Sequence, residues 1–154
     1  MRQPIRVEQY SLNIEDGCGH GMFRGGFGLV KDYRILNSEA SFTASFGRSV
    51  YPCWGMEGGQ KGTANYFVIM KQGQEPRKAR KVAAEVMKKG DLVRLRTGAG
   101  GGYGNPLKRD VQRVAWDVKN EYISKPDAEK TYGVVFKERS TEPDMDATAK
   151  LRAR

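Results

Sequence analysis

The chain has 154 residues, with 27 Lys and Arg against 18 Asp and Glu, for a formal charge of +9. That length suits one folding unit. A 38% hydrophobic content is enough for a modest core, which excludes a wholly disordered chain. No stretch approaches the ~20 apolar residues of a bilayer span, and the N-terminal MRQPIRVEQY lacks the apolar core of an export signal. The two cysteines, Cys18 and Cys53, are too few for a disulfide scaffold and are expected as reduced thiols in the cytoplasm.

The first half reads as short strands. Val7, Tyr10, Leu12 and Ile14 lie in a segment that stops at the turn signal Asp16-Gly17. Phe27 to Leu36 and Ala40 to Phe46 predict two further strands, separated by a turn near Asn37-Ser38. A glycine-rich loop between Tyr51 and Gly62 leads into the apolar strand Tyr66–Met70. Lys71 to Arg80 reads as a basic surface excursion, and Lys89-Gly90-Asp91 as a turn before the strand Leu92–Arg96.

The 19 glycines, about 12% where roughly 7% is ordinary, have no collagen-like period. They punctuate short strands, which implies antiparallel sheets in a sandwich or barrel-like arrangement. Gly98 to Gly104 is the densest cluster. Beyond it, Asn105 as N-cap and Pro106 at the first position predict a helix whose apolar stripe is Val111, Val114, Ala115, Val118 and Tyr122. Ser124 caps a second short helix with Pro126 and Asp127 in its first turn, and Gly133 to Phe136 reads as a closing strand. The expected whole is a mainly β domain over 1–136 with a C-terminal helical pair near 106–131, α+β overall. Residues 137–154 form a charged tail, expected to order only against a partner.

Candidate chemistry is sparse. The dinucleotide fingerprint would need glycine where Tyr103 or Asn105 stands, and no Gly-Lys pair exists for a phosphate loop. A glycine loop feeding a helix N-terminus can still offer N–H groups to an anion, which makes Gly101, Gly102, Tyr103, Gly104 and Asn105 candidates for binding an anion or lining a cleft. Plain turn chemistry is the commoner use of such a loop. Cys18, His20 and Cys53 are weak metal candidates, because structural zinc wants four ligands and three soft ones are present. Packed thiols and a polar loop histidine are the simpler reading, so no metal is expected on this chain. Arg24, in Arg-Gly-Gly, lies beside bare backbone carbonyls and is a structural or interface candidate, as are Trp54 and Trp116.

From Lys71 to Arg96, nine Lys/Arg face three acidic residues, a local excess of +6 suited to an acidic partner or nucleic acid. The alternative is a solvated lysine-rich surface. Arg24 to Tyr33 fits the RNA-binding strand pattern poorly, since Leu29 and Asp32 stand where stacking aromatics belong. Nucleic acid is therefore the less favoured partner.

Three ordered blocks carry a resemblance. Asp16 to Tyr33, with its small-residue cluster and Arg-Gly-Gly, is the first. Arg48 to Gly62, containing Pro52-Cys-Trp-Gly55, is the second. Gly100 to Pro106 is the third, followed by Arg109-Asp110, Asp117-Val118, Ser124 and Tyr132-Gly-Val-Val135. Together they resemble the C-terminal region of the hydantoinase B/oxoprolinase family over roughly residues 4 to 136. The resemblance implies a piece of an ATP-dependent enzyme that either hydrolyses lactam-type amides or carboxylates ketones through phosphorylated intermediates. Acetophenone carboxylases are similar in having a separate small subunit of about this size, so a non-catalytic small subunit of such a carboxylase is the first expectation. A lactam hydrolase subunit is the second. The resemblance also implies larger hydantoinase A- and B-type partner subunits in a hetero-oligomer, with ATP and a divalent metal bound there rather than on this chain. No catalytic residue carries over.

Overall fold

The computed structural model describes residues 4–153, and two antiparallel sheets and three helices account for most of it. The strands are β1 (Ile5–Asn13), β2 (Gly28–Ile35), β3 (Glu39–Ser45), β4 (Tyr66–Met70), β5 (Arg77–Ala79), β6 (Lys81–Lys88) and β7 (Leu92–Arg96). A five-stranded sheet runs in the order β1-β2-β7-β4-β5, and β3 pairs with β6 in a second, two-stranded sheet. Phe67, Ile69, Val93 and Ile35 from the larger sheet meet Val82 and Met87 from the smaller. Phe42 and Phe46 pack against Phe67 from the same side. The strands alternate because one face of each is buried in this layer.

The mainly β architecture with C-terminal helices matches the sequence expectation; several boundaries differ. Lys71 to Arg80 contains strand β5, and β6 lies in a stretch whose pattern predicts no strand. Gly133 to Phe136 is not a strand: Gly133 is the left-handed cap of a helix, and Phe136 forms one isolated bridge with Pro143.

The helices are α1 (Val111–Lys119), α2 (Lys125–Tyr132) and α3 (Met145–Arg152). Asn105 does not cap α1. Its side chain accepts from the Leu107 N–H and caps a 3₁₀ turn, Pro106–Lys108. Asp110 caps α1 by accepting from the Arg113 N–H. Val114, Ala115 and Val118 are buried as the stripe predicts, whereas Tyr122 lies beyond the helix end. Ser124 caps α2 as expected. A second core of Val114, Val118, Ala128, Tyr132 and Val134 holds α1, α2 and the following segment together.

The segment after Lys137 is the largest departure, because it docks on this chain itself. Thr148 of α3 is buried, and its hydroxyl accepts from the Val135 N–H at 3.0 Å. The Arg152 guanidinium donates to the carbonyls of Tyr132 and Arg109 at 2.9 and 2.8 Å. Polar anchors, rather than an apolar stripe, hold this helix down.

Thr148→Val keeps the shape but leaves the buried Val135 N–H without an acceptor, a cost of about 1–3 kcal/mol. Its thermal midpoint is expected to fall by several degrees while that of the exposed control Lys150→Ala stays near wild type. An unchanged midpoint for Thr148→Val would mean that α3 is not bonded to the body in this way.

Candidate functional site

Three glycine-rich segments converge on one place. Residues 98–104 run between residues 19–26 and residues 56–62, and the contacts are backbone to backbone. The Gly19 N–H donates to the Gly100 carbonyl and the Gly100 N–H to the Gly26 carbonyl, both at 2.9 Å. Phe23 and Tyr103 exchange N–H···O bonds at 3.0 and 2.8 Å. On the other flank, Gly102 donates to Gln60, Met56 to Gly102 and Gly104 to Met56, each at 2.9 Å.

Absent side chains permit this. A Cβ on Gly101 would press into the Trp54 carbonyl oxygen, and one on Gly102 into that of His20. Neither residue has the positive φ that glycine often supplies, so the requirement is close approach rather than backbone twist. Because the amides of Gly100, Gly102, Tyr103 and Gly104 donate to carbonyls, an anion would have to displace these bonds to be cradled there. The helix-terminal N–H of Arg113 is likewise occupied by the chain's own carboxylate, Asp110.

One buried carboxylate ties the glycine segments to the helices. Asp117 on α1 is 2% exposed. It accepts from Arg24 Nε at 3.0 Å and Nη2 at 3.1 Å, and from Arg109 Nη2 at 2.9 Å. Arg24 also donates to the carbonyl of Gly25 and lies 4.8 Å from the Phe27 ring centroid. Burial works against its charge, but the bonds to Asp117 hold the guanidinium above its ordinary range. The expected structural position of Arg24 thus has a geometry, a two-point fork on a desolvated carboxylate. Asp117 is not among the sequence candidates, although an acid flanked by Val114 and Val118 on an apolar face is a readable signal.

His20 sits at the same junction, its Nδ1 2.8 Å from the Tyr132 hydroxyl. Burial is the main reason the imidazole titrates below its ordinary 6.5, and the nearby Arg109 and Arg24 charges add to it against Asp127 and Asp117. Burial also pushes the Cys18 thiol and the Tyr132 phenol upward. Cys18 is buried, whereas Cys53 lies beside the Arg48 guanidinium. Among the described residues no group of three or more His, Cys, Asp or Glu side chains could hold a metal ion.

Phe23, Met56 and Tyr103, bridged side by side across the three segments, all stand exposed. Trp54 is 74% exposed beside them in sequence, and Trp116 shares a surface cleft with Arg24, Arg109, Arg113 and Asp117. The assembly is a rigid backbone platform bearing apolar groups.

A β unit organised by stacked glycine segments and sealed by an arginine–carboxylate fork defines the class of protein. The profile of the Hydantoinase B/oxoprolinase family matches residues 1–106, which include all three glycine segments, and the chain belongs to that family. A putative D-/L-hydantoinase B-type polypeptide of Pseudomonas sp. (strain NS671) is 31% identical over 97% of this chain and 25% of its own. The solved structure of the ATP-dependent caprolactamase from Pseudomonas jessenii is 28% identical, with a TM-score of 0.76 over 98% of this chain and 26% of that one. Nucleotide-free acetone carboxylase shares the fold with a TM-score of 0.79 at 20% identity, over 97% of this chain and 24% of that one. The chain therefore spans about a quarter of the length of the relatives it matches.

Gly101→Ala is expected to lower stability by about 1–3 kcal/mol, since the methyl group has no space beside the Trp54 carbonyl. Gly26→Ala, where an added Cβ meets open space, should change little. Equal thermal midpoints for the two variants would show that the segments do not pack so closely.

A buried imidazole that titrates low binds fewer protons folded than unfolded. Stability is thus complete above the ordinary imidazole value and is lost as pH falls below 6.5 through the folded-state value. His20→Gln removes this contribution. The drop in thermal midpoint between about pH 7.5 and about pH 5.5 is expected to be smaller in the variant than in wild type. An identical drop would place His20 in water.

Proposed function

We propose that this chain is a small, non-catalytic subunit of an ATP-dependent multisubunit enzyme, where it completes a larger hydantoinase B-type polypeptide. The observation that carries this reading is coverage: nearly all of this chain matches about a quarter of each relative. The same folding unit is thus one part of a longer chain in those proteins. Its own residues are occupied structurally, with the glycine amides bonded to carbonyls and Asp117 held between two guanidiniums.

The residues present do not fit ATP or a divalent metal well. The glycine segments, which would have to cradle phosphates, are bonded to one another. We assign both groups to the partner polypeptides. This chain would contribute a rigid wall, with Tyr103 and Trp54 exposed for contact and Arg24 fixing the wall to α1.

For the reaction, sequence identity favours ring-amide substrates, since the 28% and 31% relatives are a caprolactamase and a putative hydantoinase polypeptide. Ketone carboxylation, the first expectation from the resemblance, is the second reading; the fold shared with acetone carboxylase supports it. Isolation of the tagged chain with its bound partners from its own cells tests both. The complex is expected to hydrolyse a lactam or hydantoin with ATP turnover, and the single chain to have no activity. ATP- and bicarbonate-dependent carboxylation of a ketone by the complex would select the second reading. ATP turnover by the highly purified single chain would defeat the non-catalytic role.

A further inference from the structure

The two-stranded sheet covers only part of its larger neighbour. Residues Ile5 and Val7 of β1 pair with Ile35 and Tyr33, and Tyr10 and Leu12 pair with Lys31 and Leu29. A bulge between Val7 and Gln9 absorbs one residue, so all four apolar side chains project from the same face. That is the face on which Ile35 and Val93 meet the small sheet. At one end the row runs into an apolar groove between Ile5, Tyr33, Ala40 and Phe42. Yet Ile5, Val7, Tyr10 and Leu12 are 46%, 48%, 66% and 45% exposed, and β1 is an edge strand. A nine-residue edge strand with one wholly apolar face is ordinarily covered or blunted.

We propose that this face of β1 is the docking surface for the larger hydantoinase B-type polypeptide, which lays an apolar segment across it and pairs with its free edge. The inference rests on the subunit reading above, because in the relatives the polypeptide surrounding this unit belongs to the same, roughly fourfold longer chain. Charge argues against a second copy as the occupant. Each copy carries +9, and Arg6, Lys31 and Arg34 lie in or beside the row, so edge-to-edge pairing would bring like charges together. Lys31 also describes the partner. Its ammonium group sits 4.9 and 5.0 Å from the Tyr10 and Tyr33 ring centroids, within the apolar face, so the covering segment carries a carboxylate opposite it.

The test starts with the tagged chain purified from its own cells, its partner identified by mass spectrometry, and amide hydrogen exchange compared between free and bound chain. Amides of Val7 to Leu12 are expected to exchange at least tenfold more slowly in the complex. Tyr10→Glu/Leu12→Glu should reduce recovery of the hydantoinase B-type partner at least tenfold while its thermal midpoint stays within a few degrees of wild type, because both side chains are half exposed. Lys31→Glu should weaken association and Lys31→Arg preserve it. If the partner is recovered equally well with the double variant and β1 is not protected, the docking surface is wrong while the subunit reading stands. If wild type recovers no hydantoinase B-type chain, the subunit reading fails and this inference with it. A free chain that dimerises with β1 protected would identify a second copy as the occupant and overturn the proposal.

Discussion

The close approach of three backbones with no side chains between them is the constraint on which the rest depends. Segments 19–26, 56–62 and 98–104 are far apart in the chain and are joined by a ladder of N–H···O bonds at ordinary lengths. Glycine loses more conformational entropy on ordering than any other residue. Here that loss is offset by hydrogen bonds among groups that would otherwise be unsatisfied. The ladder needs external fixing, since it has few side chains of its own to bury. Arg24 supplies it by reaching from the first segment to Asp117 on α1, and Arg109, just after the third segment, grips the same carboxylate. Sheet, glycine ladder and helices are thereby one structure.

Much of the sheet is legible in the sequence because β2, β4 and β7 are half-buried antiparallel strands with short period-two patterns. β6 is not, for a specific reason. Its inward residues Val82 and Met87 pair with Ala44 and Ala40 across a bulge at which Ala84 takes a positive φ. The two inward side chains are therefore an odd number of residues apart, and alternation fails to register a strand whose other residues are largely basic and exposed. The start of α1 is misplaced by sequence pattern because two good caps stand close together. Arg109 is extended, which turns its side chain inward to Asp117 and ends the 3₁₀ turn that Asn105 begins. α3 escapes notice because Thr148 and Arg152 fix it by hydrogen bonds, and hydropathy periodicity does not see such anchors.

The glycine segments show the limit of a sequence pattern more sharply. A run such as Gly100 to Gly104 before a capped turn reads equally as a phosphate cradle or as close backbone packing. The two differ only in where the amides point, and that depends on segments about 40 and 80 residues away in the chain. Arg24 can be placed near backbone carbonyls from its neighbours alone. Its carboxylate partner lies 93 residues further on. An acid in the middle of an apolar helix stripe is the available signal, and its meaning becomes clear only with two arginines beside it.

The basic charge acquires a different sense once the sheet is built. Between Lys71 and Arg96, Lys71 and Arg77 both contact Glu85, Arg94 pairs with Asp32, and Arg96 contacts Glu15 and Asp16. These bases are therefore partly neutralised within the fold, several of them by acids outside the local stretch. Arg94, Asp32 and Arg96 belong to one face of the large sheet, while Phe67, Ile69 and Val93 occupy the other. The excess that suggested nucleic acid is thus largely the polar side of a two-faced sheet, and stepwise pairing across strands gives each guanidinium a fixed carboxylate rather than a free phosphate-facing position. What remains unbalanced is the apolar side, where a two-stranded layer meets a five-stranded one. A sheet that satisfies its charges internally on one face and leaves a row of hydrophobic residues uncovered on the other is shaped for a neighbour that contributes apolar surface.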